Sequence, residues 1–279
     1  MTRAETFARD GFVTVEHFKS PDEIAELRAR AEEIVEAFDP SEASGIFSTR
    51  DDSVKNDDYF LGSACAVRCF FEEEAFDEHG VLRQPKALSI NKIGHAMHDL
   101  DPVFETFSHG AALDALVREL GIAEPRVYQS MYIFKQPHIG GEVGWHQDAT
   151  FFASEPQTVT TLWFALERAD RNNGCLWVEP GGHHGPLRER FFVGPSGPRT
   201  ERLDASPWPQ AHSVPLEVEA GTLVAFHGLL PHYSAPNRSA TSRHAFTLHV
   251  VDGRARYAPD NWLQRPDDFP ARGFIPLLD

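Results

Sequence analysis

The N-terminal part of the chain carries a helical rhythm. Ile24, Leu27, Ala31, Ile34, Val35 and Phe38 recur three and four positions apart, which puts them on one buried face of an α-helix. Ser20 stands as its N-cap, Pro21 suits the first turn, and Asp22 and Glu23 meet the positive end of the helix dipole. Asp39-Pro40 stops it. A shorter helix is expected over residues 2–10, followed by the strand-like GFVTVEHF, and AVRCFF reads as another strand. From about residue 93 to 120 the pattern predicts helix again, closed by Gly121.

After residue 124 the texture changes. RVYQSMYIFKQ, TVTTLWFALERA, GCLWVEP, HSVPLEVEA, TLVAFHGLL and RHAFTLHVV are short segments rich in β-branched and aromatic residues. Gly, Pro and Asn punctuate them, and Asn172-Asn173-Gly174 reads as a tight turn. Short strands with such turns and no helices between them predict an antiparallel sandwich or jelly roll. Residues 39–60, polar and poor in aliphatics, read as a long loop of the kind that forms lids or binding loops. Residues 185–212, proline-rich and aperiodic, read as an insertion between strands. The expected layout is one domain over residues 1–279. Residues 1–124 form a mainly helical flank with some strands, 125–255 a jelly-roll core and 256–279 a C-terminal tail.

Composition narrows the partners. A formal charge of −16 repels phosphate backbones and anionic lipid heads, so neither nucleic acid nor a membrane surface is expected, and a small-molecule substrate is. The same charge weakly disfavours a polyanionic substrate such as a CoA thioester. Cys65, Cys69 and Cys175 form no disulfide framework, and the first two read as small buried side chains rather than a redox or metal pair. A reducing, cytoplasmic setting fits, since the opening residues lack an apolar signal core and no stretch approaches a membrane span.

The chemistry gathers around His146-Gln147-Asp148. In a strand, positions i and i+2 share a face, so His146 and Asp148 can approach one ion from one side of a sheet, with His232 as third ligand. Two imidazoles and one carboxylate leave open positions on an octahedral ion, the ligand set of oxygen-activating iron(II). His-x-Asp alone is weak, because 14 histidines in a chain of this composition give about one such motif by chance. Arg243 adds independent weight. A planar guanidinium pairs bidentately with a carboxylate, and a hairpin returning from His232 would set it a dicarboxylate's length from the metal. His227 lies at opposite strand parity to His232 and reads as structural. His183 and His184 follow a turn. His95 and His98 lie three apart on an expected helix and read as satisfied or exposed helix histidines. Arg68 is a candidate substrate anchor, with an ion pair to a neighbouring Glu as the plainer reading.

The strings HQDATFF, NGCLWVEPGGHH and HGLLPHYSAPNRSATSRHAF resemble the phytanoyl-CoA dioxygenase (PhyH) family. SINKIGHAMHDLDPVF and QSMYIFKQPHIGGEVGWHQD are similar to one branch of it, the phytanoyl-CoA dioxygenase domain-containing proteins. The likeness runs from GFVTVEHF to NWLQRP and is weakest in 39–60 and 185–212. It implies a mostly β chain with flanking α-helices around a double-stranded β-helix, a cupin-like jelly roll. It also implies Fe(II) held by His146, Asp148 and His232, the last chosen because its spacing to Arg243 matches the family. The cosubstrate 2-oxoglutarate would touch Lys92, Met131, His146, Gln147, Asp148, Trp163, His232, Ser234 and Arg243, with no catalytic group beyond the metal ligands. The implied reaction uses O2 to hydroxylate an unactivated C–H bond of a small organic acid or acyl-type substrate, releasing succinate and CO2. Related halogenases replace the metal-binding carboxylate with a small residue, so Asp148 favours hydroxylation.

Three other classes stay open at this point. A catalytically inert jelly-roll protein would bind metal or 2-oxoglutarate without turnover. A cupin-type metalloenzyme without a cosubstrate would give Arg243 no role. A zinc hydrolase would use the same two histidines and one acid.

Overall fold

Two antiparallel sheets face each other in the computed structural model, which describes residues 1–42 and 58–275. The larger has seven strands in the spatial order Phe12–Val15, Leu223–His227, Thr160–Ala165, Ala245–Asp252, Pro125–Ile133, Ile90–His95 and Val67–Phe71. The smaller has four, in the order Val214–Leu216, Leu176–Val178, His232–Ser234 and Val143–His146. This is the expected jelly roll, mostly β with helices on one flank.

The central strands are buried on both faces, and their two rows of side chains differ in character. Leu162, Phe164, Phe246 and Leu248 point to the helical side, where they join Phe104, Phe107, Leu113 and Leu27 in one core. Trp163, Thr161, Thr247 and His249, at the alternate positions, line the space between the sheets. Cross-strand register keeps the rows aligned, with Thr247 opposite both Met131 and Trp163, and His249 opposite Gln129 and Thr161.

The helix Pro21–Ala37 covers the outer face with Ile24, Leu27, Ala31 and Val35, at the expected spacing. Its start is a capping box: Ser20 Oγ accepts from the Glu23 amide at 3.3 Å, and the Glu23 carboxylate accepts from the Ser20 amide at 2.9 Å. The first helix, Arg3–Asp10, ends at Gly11, whose φ of +82° is the left-handed conformation a helix terminus favours. No helix of the described residues is long and apolar enough to cross a membrane.

Several expectations are corrected. Residues 93–95 are not helical: Ile90–His95 is a strand between Pro125–Ile133 and Val67–Phe71, and helix begins only at Met97. The Ile, Gly and His of this stretch fit either period, and pairing on both edges decided for strand. Residues 185–212 contain a hairpin, Glu189–Gly194 paired with Gly197–Arg202, where Gly197 takes the positive φ of the turn. No hairpin joins His232 to Arg243. His232–Ser234 lies in the small sheet and Ala245–Asp252 in the large one, so the chain crosses between sheets. Asn237, fully buried, fastens that crossing by donating to the carbonyls of Lys135 and Thr241. The expected tail folds back: Trp262, Leu263 and Phe274 are buried, and Arg265 donates to the backbone of Tyr128. Cys69 is buried as expected, whereas Cys65, expected to be buried too, is exposed; Cys175 is buried. Most of the expected 39–60 loop lies outside the described residues; Pro40–Glu42 forms a 3-10 turn and Asp58–Leu61 a short helix.

The outer core makes a direct stability prediction. Phe246 is wholly buried against Phe104, Phe107 and Phe164 and does not reach the inter-sheet space. Phe246→Ala is expected to lower unfolding free energy by about 3–5 kcal/mol. A loss below about 1 kcal/mol in chemical denaturation would contradict this packing.

Candidate metal and cosubstrate site

His146 closes its strand in the small sheet, and His232 pairs directly opposite it. Asp148 lies just beyond, at the start of a 3-10 turn over Asp148–Thr150 rather than within the strand. The local chain therefore turns the carboxylate inward without strict strand alternation. The Asp148 Oδ1 atom lies 3.5 Å from His146 Nε2 and 3.6 Å from His232 Nε2. The three ligand atoms all fall within 4.8 Å of one another.

Each ligand is oriented from behind. His146 Nδ1 donates to the Gly144 carbonyl at 2.8 Å, and His232 Nδ1 donates to the Leu230 carbonyl at 3.0 Å. A backbone carbonyl only accepts, so both rings carry their hydrogen on Nδ1 and present the Nε2 lone pair to the same point. Burial, with His146 beside it, pulls His232 down to about 4, so it stands neutral and ready to ligate. Burial alone would raise the Asp148 carboxyl, yet the surrounding His232, His146 and His249 hold it well below the usual carboxylate range. Its second oxygen, Oδ2, accepts from the Thr161 hydroxyl and lies 3.4 Å from His249 Nε2. Two imidazoles and an ionised carboxylate around one point are a fitting donor set for Fe(II).

The same cavity ends at Arg243. This residue is 2% exposed. Its Nε donates to the Gly174 carbonyl at 3.1 Å, and its Nη2 donates to Ser234 Oγ at 3.2 Å. Ser234 gives its single hydrogen to the same Gly174 carbonyl, so its hydroxyl steadies Arg243 rather than donating into the cavity. The guanidinium sits 5.5 Å from the Trp163 ring centroid. Burial pulls its pKa down to about 10. Nη1 is buried without a hydrogen-bond partner, and among the described residues no carboxylate lies within ion-pairing distance of Arg243. An unpaired buried cation of this kind costs several kcal/mol, of the order set by ion desolvation, unless an anion meets it. One end of the cavity therefore offers a metal's ligands and the other a carboxylate's partner, which suits a small dicarboxylate lying between.

Of the residues singled out in the sequence, Lys92, Met131, His146, Asp148, Trp163, His232, Ser234 and Arg243 all line this one cavity. Gln147 does not. Its amide nitrogen donates to the carbonyls of Pro186 and Leu229, and its oxygen accepts from the Arg188 amide, so it holds two loops together. His227 is structural as expected, and His183 also holds backbone in place. His227 Nδ1 accepts from the Leu229 amide, and His183 Nε2 bonds the Ala8 carbonyl beside Gly11. Arg68 lies elsewhere, donating to the Tyr59 carbonyl and stacked over that ring, with no glutamate partner among the described residues. His98 is buried against Asp99 and Ser130, whereas His95 belongs to a strand and lines the cavity.

Sequence reasoning missed Thr161, His249 and Gln129, and it placed His95 on a helix. His249 had a readable signal: with Thr247 it is polar at alternate positions of the otherwise apolar AFTLHVV, and a period-two reading assigns both to the inner face, whereas Thr160 beside Thr161 and Ser130 beside Gln129 blur that pattern. Thr161→Val keeps the side chain's shape and removes its hydrogen bond to the ligand carboxylate. It is expected to weaken Fe(II) or Mn(II) binding about 10- to 100-fold with little change in melting temperature. Titration calorimetry measures this, and affinity within about twofold of wild type would show that Asp148 needs no such support.

Comparison with known proteins agrees with this geometry. The family model described as Phytanoyl-CoA dioxygenase (PhyH) matches residues 7–245. The chain is 47% identical over 260 residues to a phytanoyl-CoA dioxygenase of Arabidopsis thaliana, covering 93% of this chain and 91% of that one. It is 44% identical over 286 residues to phytanoyl-CoA dioxygenase domain-containing protein 1 of Rattus norvegicus, covering 99% and 97%. Among solved structures, the epimerase SnoN in complex with Fe3+, alpha ketoglutarate and nogalamycin RO superposes with a TM-score of 0.64 at 17% identity, over 99% of this chain and 94% of that one. At that identity the likeness speaks to the fold. The family match and the two relatives, which span nearly the whole chain, establish that it belongs to the phytanoyl-CoA dioxygenase family, whose members are non-haem iron oxygenases dependent on 2-oxoglutarate.

Proposed function

We propose that this chain is an Fe(II)- and 2-oxoglutarate-dependent dioxygenase that hydroxylates an unactivated C–H bond of a small organic acid or acyl-type substrate. The observation that carries the reading is Arg243: a buried guanidinium, one nitrogen unpaired, in the cavity that also holds the His146–Asp148–His232 cluster. A metalloenzyme that takes no carboxylate-bearing ligand has no use for such a group.

In this reading His146, Asp148 and His232 hold the iron. The bound iron supplies oxygen activation, coupled to oxidative decarboxylation of 2-oxoglutarate. One O2 is consumed: one atom enters succinate as CO2 leaves, and the other becomes the substrate's new hydroxyl. The chain's own residues bind, orient and shield. Arg243 takes the distal carboxylate and Ser234 keeps its fork in plane. Trp163 and Met131 form the walls along the cosubstrate, while Lys92 adds a cation to the same chamber. Thr161 and His249 fix Asp148, so the carboxylate presents one oxygen inward. The helical flank supplies Phe60 and Lys92 to the cavity and the C-terminal segment supplies Trp262, which supports reading the chain as one working unit.

Arg243→Leu is expected to raise the dissociation constant for 2-oxoglutarate about 30-fold or more, in line with about 2–5 kcal/mol for removing one partner of a buried charged pair. Metal affinity should stay near wild type. Anaerobic calorimetry on the metal-loaded protein reads both. Unchanged 2-oxoglutarate affinity in a folded Arg243→Leu protein would remove the basis of the cosubstrate assignment.

A further inference from the structure

The cavity has a second stretch of wall that neither the metal nor a dicarboxylate explains, formed by Phe60, His95, Gln129, Phe152 and Trp262. His95 is its unusual member. It is 1% exposed and boxed by aromatic rings, with centroids 5.5 Å from Phe60, 5.6 Å from Phe70 and 5.3 Å from Trp262. Phe60 and Trp262 stack on each other at 4.6 Å. An imidazole in such a box would ordinarily be replaced by a hydrocarbon side chain unless its polar atoms had work.

Its protonation pattern is fixed by a neighbour. Ser63 Oγ donates its only hydrogen to the Phe60 carbonyl and lies 2.7 Å from His95 Nδ1. Ser63 must therefore accept there, so the hydrogen of the imidazole sits on Nδ1 and Nε2 carries a lone pair. Burial, with Lys92 and His249 nearby, keeps the pKa of His95 well below its ordinary value, so the ring stays neutral. Nε2 has no hydrogen-bond partner among the described residues, and His95 is part of the cavity lining. The wall thus offers a directed acceptor at His95 inside an aromatic surround, beside the Gln129 amide.

Size limits what meets it. The cavity encloses about 250 Å3, below the roughly 300–1,000 Å3 of pockets that bury drug-sized ligands. A cosubstrate takes part of that volume, so the substrate portion inside is compact.

We propose that His95 is a substrate-reading residue, whose Nε2 accepts a hydrogen bond from a hydroxyl group on a compact substrate seated against Phe60, Phe152 and Trp262. The assignment rests on this cavity being the substrate chamber of the dioxygenase proposed above. A plain alkyl chain in the same place would leave the buried acceptor unpaired, and sites built to meet a hydroxyl discriminate strongly against analogues that lack it. The site therefore favours small hydroxylated acids and alcohols over saturated acyl chains.

The test uses the full chain loaded with Zn(II) in place of iron and saturated with 2-oxoglutarate, so that nothing turns over. Butanoic, hexanoic and octanoic acids, each with and without a terminal hydroxyl, are titrated by calorimetry. In wild type the hydroxylated member of at least one pair is expected to bind about tenfold tighter or better. His95→Phe should erase that preference, and His95→Gln, which keeps an acceptor oxygen, should restore part of it. Binding of 2-oxoglutarate by both variants confirms that they are folded. Equal or absent binding within every wild-type pair, or a preference that survives His95→Phe, overturns the inference. Wild-type protein that fails to bind 2-oxoglutarate at all would instead overturn the cosubstrate assignment beneath it.

Discussion

A sheet covered on both sides has no solvent to fall back on, and every polar side chain on its inner face needs a partner from within the molecule or from a ligand. That constraint organises this protein. The outer row of the seven-stranded sheet is hydrocarbon and packs on the helices, while the inner row carries Thr161, Thr247, His249 and Gln129. Some inner groups are satisfied locally, as Thr161 is by Asp148. Others are not: Arg243 Nη1 and His249 Nδ1 are buried without partners among the described residues. Buried polar groups in native proteins are nearly always satisfied, so such exceptions mark where function departs from packing.

Charge is arranged in the same sense. The chain is strongly acidic overall, at −16, yet Arg243, Lys92 and Lys135 all reach the cavity between the sheets. Burial pulls the pKa values of Lys135 and Arg243 below the ordinary, and the Arg243 charge adds to the lowering of Lys135. A local basic chamber inside an acidic surface suits a small anion that diffuses in, rather than an extended polyanion that must lie along the outside.

The sequence made some of this legible and hid the rest for identifiable reasons. The Ser20 capping box and the face Ile24–Leu27–Ala31–Val35 were readable because local backbone chemistry alone decides them. The metal cluster and Arg243 were readable only together, since each is unremarkable singly and their proximity depends on a crossing between sheets that no local pattern encodes. Residues 93–95 read as helix, whereas pairing of both edges of Ile90–His95 with distant segments, a tertiary decision, makes them strand. That error also concealed His95, which on a helix has no claim on the cavity. Gln147 was implied by the family resemblance alone, whereas the 3-10 turn at Asp148 directs its amide to the backbone of Pro186 and Leu229.

The central claim is that one cavity holds iron at His146, Asp148 and His232 and 2-oxoglutarate at Arg243, and uses them in a reaction with oxygen. Incubating the iron-loaded chain with 2-oxoglutarate under air and quantifying succinate against oxygen consumed tests it most directly. The account predicts succinate in equimolar amount with oxygen, at least as a slow basal reaction, and none once oxygen is removed. Absence of succinate from protein shown to contain both iron and 2-oxoglutarate would contradict it and favour a binding protein that has kept the fold without the chemistry.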